Sequence, residues 1–209
     1  MTWSIIARDS LTGQFGIAVA TKFFAVGARV PHIAAGIGGV ATQALVNPYY
    51  GIDGITLLRD GREPRDIVER LIAADSGRES RQLHIMDIHG RIAAFTGREC
   101  VDWCGHVQGD GFSIAGNMLA GAAVLDDTAK ALVANASLPF AQRLIAAMKA
   151  GEAAGGDKRG KQSAAILVVR QPEDARLGDR VVDFRIDDHK TPIQELARIL
   201  ALDLPRAGE

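Results

Sequence analysis

The chain has 209 residues and a mass of 22.2 kDa, enough for one domain to bury a sizeable core without staples. Hydrophobic residues make up 47% and charged residues 23%, which excludes a disordered chain; 24 Lys and Arg against 25 Asp and Glu leave a net charge of −1, with no footprint for nucleic acid or anionic lipid. Two cysteines exclude a disulfide scaffold, Arg8 and Asp9 interrupt any signal-peptide core, and His32, Thr42 and Gln43 break the most apolar stretch, so a soluble cytoplasmic protein is expected.

In chain order, residues 2–8 are β-branched and apolar, 9–13 carry turn chemistry, and 15–21 read as a second strand, which together predict a hairpin. Residues 33–46 are apolar almost throughout, as in strands buried on both faces, until Asn47 and Pro48 break the pattern. A short helix is predicted over 52–59. A better-marked one over 64–74 has Pro64 in its first turn, Ile67, Val68, Leu71 and Ile72 on one face, and Gly77 beyond its end. Strands at 82–87 and 91–96 flank a compact turn at His89 and Gly90, and a Gly-rich stretch leads to a strand at 112–115.

A helical pair follows at 124–134 and 139–150, the second stopped by Gly151. Residues 151–162 are a charged, glycine-rich loop; 163–170 and 181–186 are strands joined by a polar segment. Thr191 to Gln194 has the form of a capping box opening a last helix to Leu202. Blocks of strands alternate with helix pairs, and the turns are too short for right-handed crossovers. One α+β domain over 1–209 is predicted, with antiparallel sheets layered by helices and disorder confined to the last few residues.

Thr2 is the first candidate for chemistry. A small residue at position 2 permits removal of Met1, which would place a free α-amine and a hydroxyl on one residue. An α-amine has a pKa of about 8, so a usable fraction is neutral near pH 7 and can accept the hydroxyl proton, activating an otherwise weak nucleophile. An ordinary second residue is the competing reading.

Five blocks carry a resemblance: TWSIIARD at 2–9, FGIAVATKFFAVG at 15–27, VATQALVNPYYG at 40–51, QGDGFSIAGNML at 108–119 and AAGGDKRGKQSAA at 153–165. The chain resembles the bacterial and archaeal family catalogued as domain of unknown function 1028, which in turn resembles the N-terminal nucleophile (Ntn) hydrolases. The resemblance implies a four-layer αββα sandwich of two antiparallel sheets between helix layers, and an amidohydrolase or peptidase-like role with Thr2 as nucleophile and its own amine as base. Proteasome-type members place a lysine on the third strand; here Arg29 and His32 stand thereabouts and the nearest lysine is Lys22.

Lys22 follows the second strand, where an ammonium would hold the Thr2 amine neutral by like-charge repulsion; a solvent-facing lysine is the alternative. Thr42 and Gln43 interrupt a buried stretch, so they either knit strands or face a pocket. In the implied fold the turn after their strand supplies a backbone N–H to an oxyanion, and Asn47 and Tyr50 lie along the cleft. Asp110 and Asn117 sit in or near flexible backbone and can read polar groups of a ligand. In the 155–163 loop Arg159 is the expected anion contact, with Asp157 and Ser163 orienting it; P-loop spacing is absent. Cys100, Cys104 and His106 are close in sequence but have awkward geometry and no fourth zinc ligand. The expected function is hydrolysis of a small amide or peptide-like bond without cofactor or metal, by a protein that is dimeric by base rate. The alternative is a non-catalytic binding protein for a small metabolite or cell-wall fragment on the same fold.

Overall fold

In the computed structural model, residues 2–170 and 180–203 are described. The expected disorder of the last residues, and most of the polar segment before the last strand, lie outside that range.

The first two strands form the predicted hairpin. β1 (Thr2–Asp9) pairs antiparallel with β2 (Gln14–Thr21), from Trp3 opposite Ala20 to Asp9 opposite Gln14. The turn is held by the Asp9 carboxylate, which accepts from the Thr12 hydroxyl at 2.5 Å, and by Gly13 at φ 68°, a left-handed position that favours glycine. Next come β3 (Pro31–Ala34), β4 (Gly38–Ala44), β5 (Arg81–Asp87), β6 (Ile92–Thr96), β7 (Gly105–Gly109), β8 (Phe112–Asn117), β9 (Ser163–Arg170) and β10 (Arg180–Ile186). The strands make a six-stranded sheet ordered β10-β9-β2-β1-β8-β7 and a four-stranded sheet ordered β3-β4-β5-β6, every neighbouring pair antiparallel.

Helices α1 (Pro48–Arg59) and α2 (Pro64–Ala73) cover the four-stranded sheet, burying Tyr50, Leu58, Ile67 and Leu71 against Val40, Leu83 and Ile85. Helices α3 (Ala123–Ala134), α4 (Phe140–Ala153) and α5 (Pro192–Asp203) cover the six-stranded sheet, where Val124, Leu144, Met148 and Leu196 meet Trp3, Ile5, Ile114 and Ile166. A third cluster joins the two sheets, with Ile6, Phe15, Ile17 and Val19 against Ala41 and Met86. Each of these large side chains contributes about 1.5–3 kcal/mol by leaving water. The mixed α+β class, and the two antiparallel sheets and five helices among the described residues, agree with the sequence reading.

Four elements differ from it. Strand β7 replaces part of the stretch read as Gly-rich loop. Helix α1 starts four residues early, because the Asn47 side chain caps it by accepting from Tyr49 N at 3.1 Å and Pro48 fits the first turn. Helix α4 runs through Gly151 instead of stopping there. The capping box of α5 is not made: the Thr191 hydroxyl meets His189 Nδ1 at 3.3 Å, and the Gln194 amide donates to Glu152.

Candidate functional site

Strand alternation sorts β1 into two faces. Trp3, Ile5 and Ala7 face the helices, whereas Thr2, Ser4 and Ile6 face the other sheet. Between the sheets, next to the apolar cluster, lies a buried polar belt. Gln82 on β5 is its hub. The two N–H groups of its Nε2 are shared among three acceptors, the backbone carbonyls of Gly116 (2.8 Å) and Gly105 (3.1 Å) and the Thr96 hydroxyl (2.9 Å). Carbonyls only accept, so this end of Gln82 is its nitrogen. Its Oε1 therefore receives the amides of Gln43 (2.8 Å) and Asn117 (2.9 Å). The Oε1 of Gln43 is then left to take the Ser4 hydroxyl proton at 2.6 Å. His84 Nε2, 2.9 Å from Ser4 Oγ, must donate there, and its Nδ1 accepts from Ser113 Oγ at 2.9 Å. One chain of donors and acceptors thus ties β1, β4, β5 and β8 together.

Thr2 stands at the end of this belt, 6% exposed. It lies opposite Asn117 on β8, and its hydroxyl donates to Thr21 Oγ1 at 3.3 Å. The side-chain amides of Gln43 and Asn117 approach its carbonyl at 3.5 Å each, long contacts that leave those N–H groups weakly held. The structure therefore brings Thr2, Gln43 and Asn117 together, and adds Thr21, which the sequence reading missed. The signal was present in the hairpin register, which carries Thr21 to the side of Thr2.

Lys22 does not join them. Its side chain is exposed, with Nζ donating to Lys161 O at 3.2 Å, while its backbone N–H donates to Asp157 Oδ2 at 2.6 Å. Thr42 points the other way from Gln43 on β4; its hydroxyl donates to Asn47 O at 3.2 Å, beside the α1 cap. Asn47 and Tyr50 belong to the same outer cluster, built around Asp75. The Asp75 carboxylate accepts from Asn47 Nδ2 (3.1 Å), Arg81 Nε (3.0 Å) and Gly77 N (2.8 Å). Burial opposes its ionisation, but those donors outweigh burial and hold the carboxyl well below the usual range; burial, then the neighbouring Asp75, pushes the Tyr50 phenol up. Thr42, Asn47 and Tyr50 thus support the helix side of the four-stranded sheet, not the Thr2 site. The amide after β4 is also engaged, since Leu45 N donates to Ser80 O at 3.1 Å.

Asp110 is exposed in the β7–β8 turn, at the far end of β8 from Asn117, about 20 Å away at strand spacing. Ser163 is fully buried: its hydroxyl donates to Phe23 O at 2.5 Å and accepts from Val26 N at 3.1 Å, pinning the loop after β2. Arg159 is folded back on Asp157, Nη2 to Oδ2 at 3.2 Å, so its fork is matched within the loop. Beside Asp157 and Thr21 lies a cavity of ≈ 60 Å³ whose walls include Trp3, Glu152, Gly155 and Lys161.

Backbone strain gathers at the Thr2 end. Among the described residues three non-glycine positions are left-handed: Ala25 (φ 54°) in the loop after β2, Ala44 (φ 68°) directly after Gln43, and Met118 (φ 59°) directly after Asn117. Each such residue costs on the order of 1–3 kcal/mol, and such costs persist where surrounding structure enforces them. Elsewhere, burial first and Cys104 second raise the Cys100 thiol to about 11, its Sγ donates to Arg81 O, and His106 Nδ1 meets Thr96 instead; the two do not form a nucleophile and base. Among the described residues no helix is long and apolar enough to cross a membrane.

A family model described as a family of unknown function, DUF1028, matches residues 2–196. The chain is similar to the crystal structure of protein SPO2555 from Silicibacter pomeroyi, labelled with the same family model, at 38% identity and a TM-score of 0.88, over 96% of this chain and 88% of that one. No curated protein matches it.

Proposed function

Because the chain belongs to the DUF1028 family of unknown function, membership brings no activity with it, and we propose from the site itself an amidohydrolase of the N-terminal nucleophile type, with the four-layer sandwich of that superfamily. The observation that carries the reading is the placement of Thr2. It is the first residue of a central strand, faces the space between the sheets, and has its hydroxyl on Thr21 and two amide donors at its carbonyl. Two of the three strained backbone positions directly follow the residues that carry those amides.

In this reading Met1 is removed. The Thr2 α-amine takes the proton from Oγ1 as Oγ1 attacks the carbonyl carbon of a small amide. The Asn117 amide, only loosely held by the Thr2 carbonyl, donates to the developing oxyanion. Collapse breaks the C–N bond, the α-ammonium gives its proton to the leaving amine, and an ester to Thr2 remains. Water then attacks that ester, with the α-amine as base, returning the hydroxyl and releasing the acid. Lys22 has no part in this scheme, and Thr21 takes the place beside the nucleophile. Cytoplasmic location and a symmetric dimer belong to the same proposal; sedimentation as a 22.2 kDa species would remove the dimer.

The experiment is a screen of linear and cyclic amides with protein shown by intact mass to lack Met1. Thr2→Ser is expected to keep partial turnover, and Thr2→Ala to lose roughly three orders of magnitude or more in kcat. Full activity in Thr2→Ala, or in protein that retains Met1, would end the proposal. The low exposure of Thr2 favours the second reading, a non-catalytic metabolite-binding protein. That reading predicts ligand binding in wild type and Thr2→Ala alike, with no turnover in either.

A further inference from the structure

Beyond Thr21 the ladder of β2, β9 and β10 continues for one more step: Gln162 N donates to Thr21 O at 3.0 Å, and His189 N donates to Gln162 O at 2.8 Å. Lys22 N is fixed in turn on Asp157 Oδ2 at 2.6 Å. These three segments enclose a pocket of ≈ 480 Å³ lined by Lys22, Lys161, Gln162, Asp188, His189 and Lys190. The volume falls within the range of small-molecule sites, about 300–1,000 Å³, and the backbone that frames it is hydrogen-bonded rather than free loop.

The charges on its walls do not cancel. Lys161 is matched, with Nζ 2.8 Å from Glu152 Oε2. Lys22 is not. Its Nζ bonds a neutral carbonyl, Lys161 O at 3.2 Å, and because both residues line the pocket that bond keeps the ammonium on its wall. Among the described residues Lys190 has no carboxylate partner either. Against these two ammoniums stands one lining acid, Asp188, whose Oδ1 accepts from the Gln162 amide at 3.1 Å. The neighbouring acids are taken up elsewhere, Asp187 by Arg185 at 2.9 Å and Asp157 by Arg159 at 3.2 Å. Lys158 adds to the surplus, since its ammonium also goes to a carbonyl, Asp102 O at 2.6 Å. His189 supplies a directed donor. Its Nδ1 lies 3.1 Å from Thr191 N, which can only donate, so the ring proton is on Nε2 and that N–H is left for a ligand.

Two unmatched ammoniums against one carboxylate call for one further negative charge. A phosphate monoester brings about 1.5–2 and is best met by a guanidinium fork, and the forks of Arg159 and Arg185 are held by Asp157 and Asp187. We infer that the Lys22–Lys190 pocket binds the carboxylate of a small organic acid, its oxygens accepting from the two lysine ammoniums and from His189 Nε2–H. Lys22 follows Thr21, whose hydroxyl takes that of Thr2, so the carboxylate is bound one residue along the chain from the partner of the proposed nucleophile. The pocket does not require Thr2 to be a nucleophile, and its test reads binding alone.

The test is a titration of ¹⁵N-labelled full-length protein with acetate at constant ionic strength, following the backbone amide signals of Lys22, Gln162, His189 and Lys190. These are expected to shift saturably in the millimolar range, as so small a ligand permits, and to stay in place with acetamide, which has the same shape and no charge. Lys22→Met and Lys190→Met are each expected to weaken acetate about threefold, the scale of an exposed charge pair. Lys149→Met, which removes an exposed lysine on α4, is expected to leave the affinity unchanged. No saturable shift with acetate, an equal shift with acetamide, or tighter binding of inorganic phosphate than of acetate overturns the inference. So does unchanged affinity in both pocket variants, or an equal loss in Lys149→Met, which would make the effect one of overall charge. Lys22 and Lys190 are exposed, so their variants are expected to fold; should either not, the wild-type comparison of acetate with acetamide decides.

Discussion

Burial keeps the imidazole of His84 neutral. It is fully enclosed between the sheets, and desolvation first, then the nearby His106, lowers its pKa from 6.5 to about 3. The hydrogen bonds agree, since donating to Ser4 and accepting from Ser113 requires one ring proton and no more. The folded state therefore binds fewer protons than the unfolded chain between pH 3 and 6.5. The stability this depressed pKa protects is complete above pH 6.5 and is lost as the pH falls. His84 alone is expected to remove about 1.4 kcal/mol per pH unit in that window. Burial also lowers His32 and His106, so the contribution is isolated by difference. Urea unfolding at pH 7 and pH 5 should show a steeper loss for wild type than for His84→Gln; equal slopes would show that His84 protonation is not linked to folding.

At the scale of the element, α4 shows how tertiary contact overrides a local signal. By propensity Gly151 is a stop, and Gly→Ala inside a helix stabilises by about 1 kcal/mol. Here a Cβ at 151 would run into the Thr128 hydroxyl and lie 3.1 Å from Trp3 Nε1, so glycine is what lets α4 approach α3 and β1. The Thr128 hydroxyl cannot easily give way, because it donates to Val124 O at 2.6 Å. Gly151→Ala is therefore expected to destabilise by about 1–3 kcal/mol, as overpacking does, read as a lower thermal midpoint; an unchanged or raised midpoint would refute the close-approach account. Strand β7 escaped the sequence reading for a related reason. It is an edge strand with alternating partial exposure, and its Gly-His-Val-Gln-Gly composition carries little β-propensity of its own. Its place is fixed by pairing with β8, from Gly105 opposite Gly116 to Gly109 opposite Phe112.

Across the whole molecule, the two sheets meet through an apolar cluster and a polar belt, and the belt specifies how they sit. Gln82 reaches from the four-stranded sheet to the carbonyls of Gly105 and Gly116 in the other, while Gln43 reaches to Ser4. Replacing Gln82 by Met keeps the volume but leaves two carbonyls and the amides of Gln43 and Asn117 without it. An expected loss of about 2–5 kcal/mol follows from several orphaned buried groups. Denaturant unfolding measures it, and a loss under 1 kcal/mol would show that the belt does not tie the sheets. The same variant frees the Asn117 amide from its anchor, so any amidase activity should fall with it.

The sequence alone determined what local periodicity and turn chemistry can encode: the β1–β2 hairpin, helices α2 and α3, strand β9, and an α+β chain built on antiparallel sheets. It also singled out Thr2 by its place after Met1, Gln43 as a polar residue inside an apolar stretch, and Asn117 as a polar group near Gly-rich backbone. The partners of those residues were decided only by the tertiary structure. Thr21 stands where Lys22 was expected because the register fixes which residue faces Thr2, and one step along a strand turns a side chain to the opposite face. Thr42 turned away from Gln43 for the same reason. The Lys22–Lys190 pocket joins residues 168 positions apart, a proximity no window of sequence contains, and it exists only once the segments before β9 and after β10 have settled beside the end of β2.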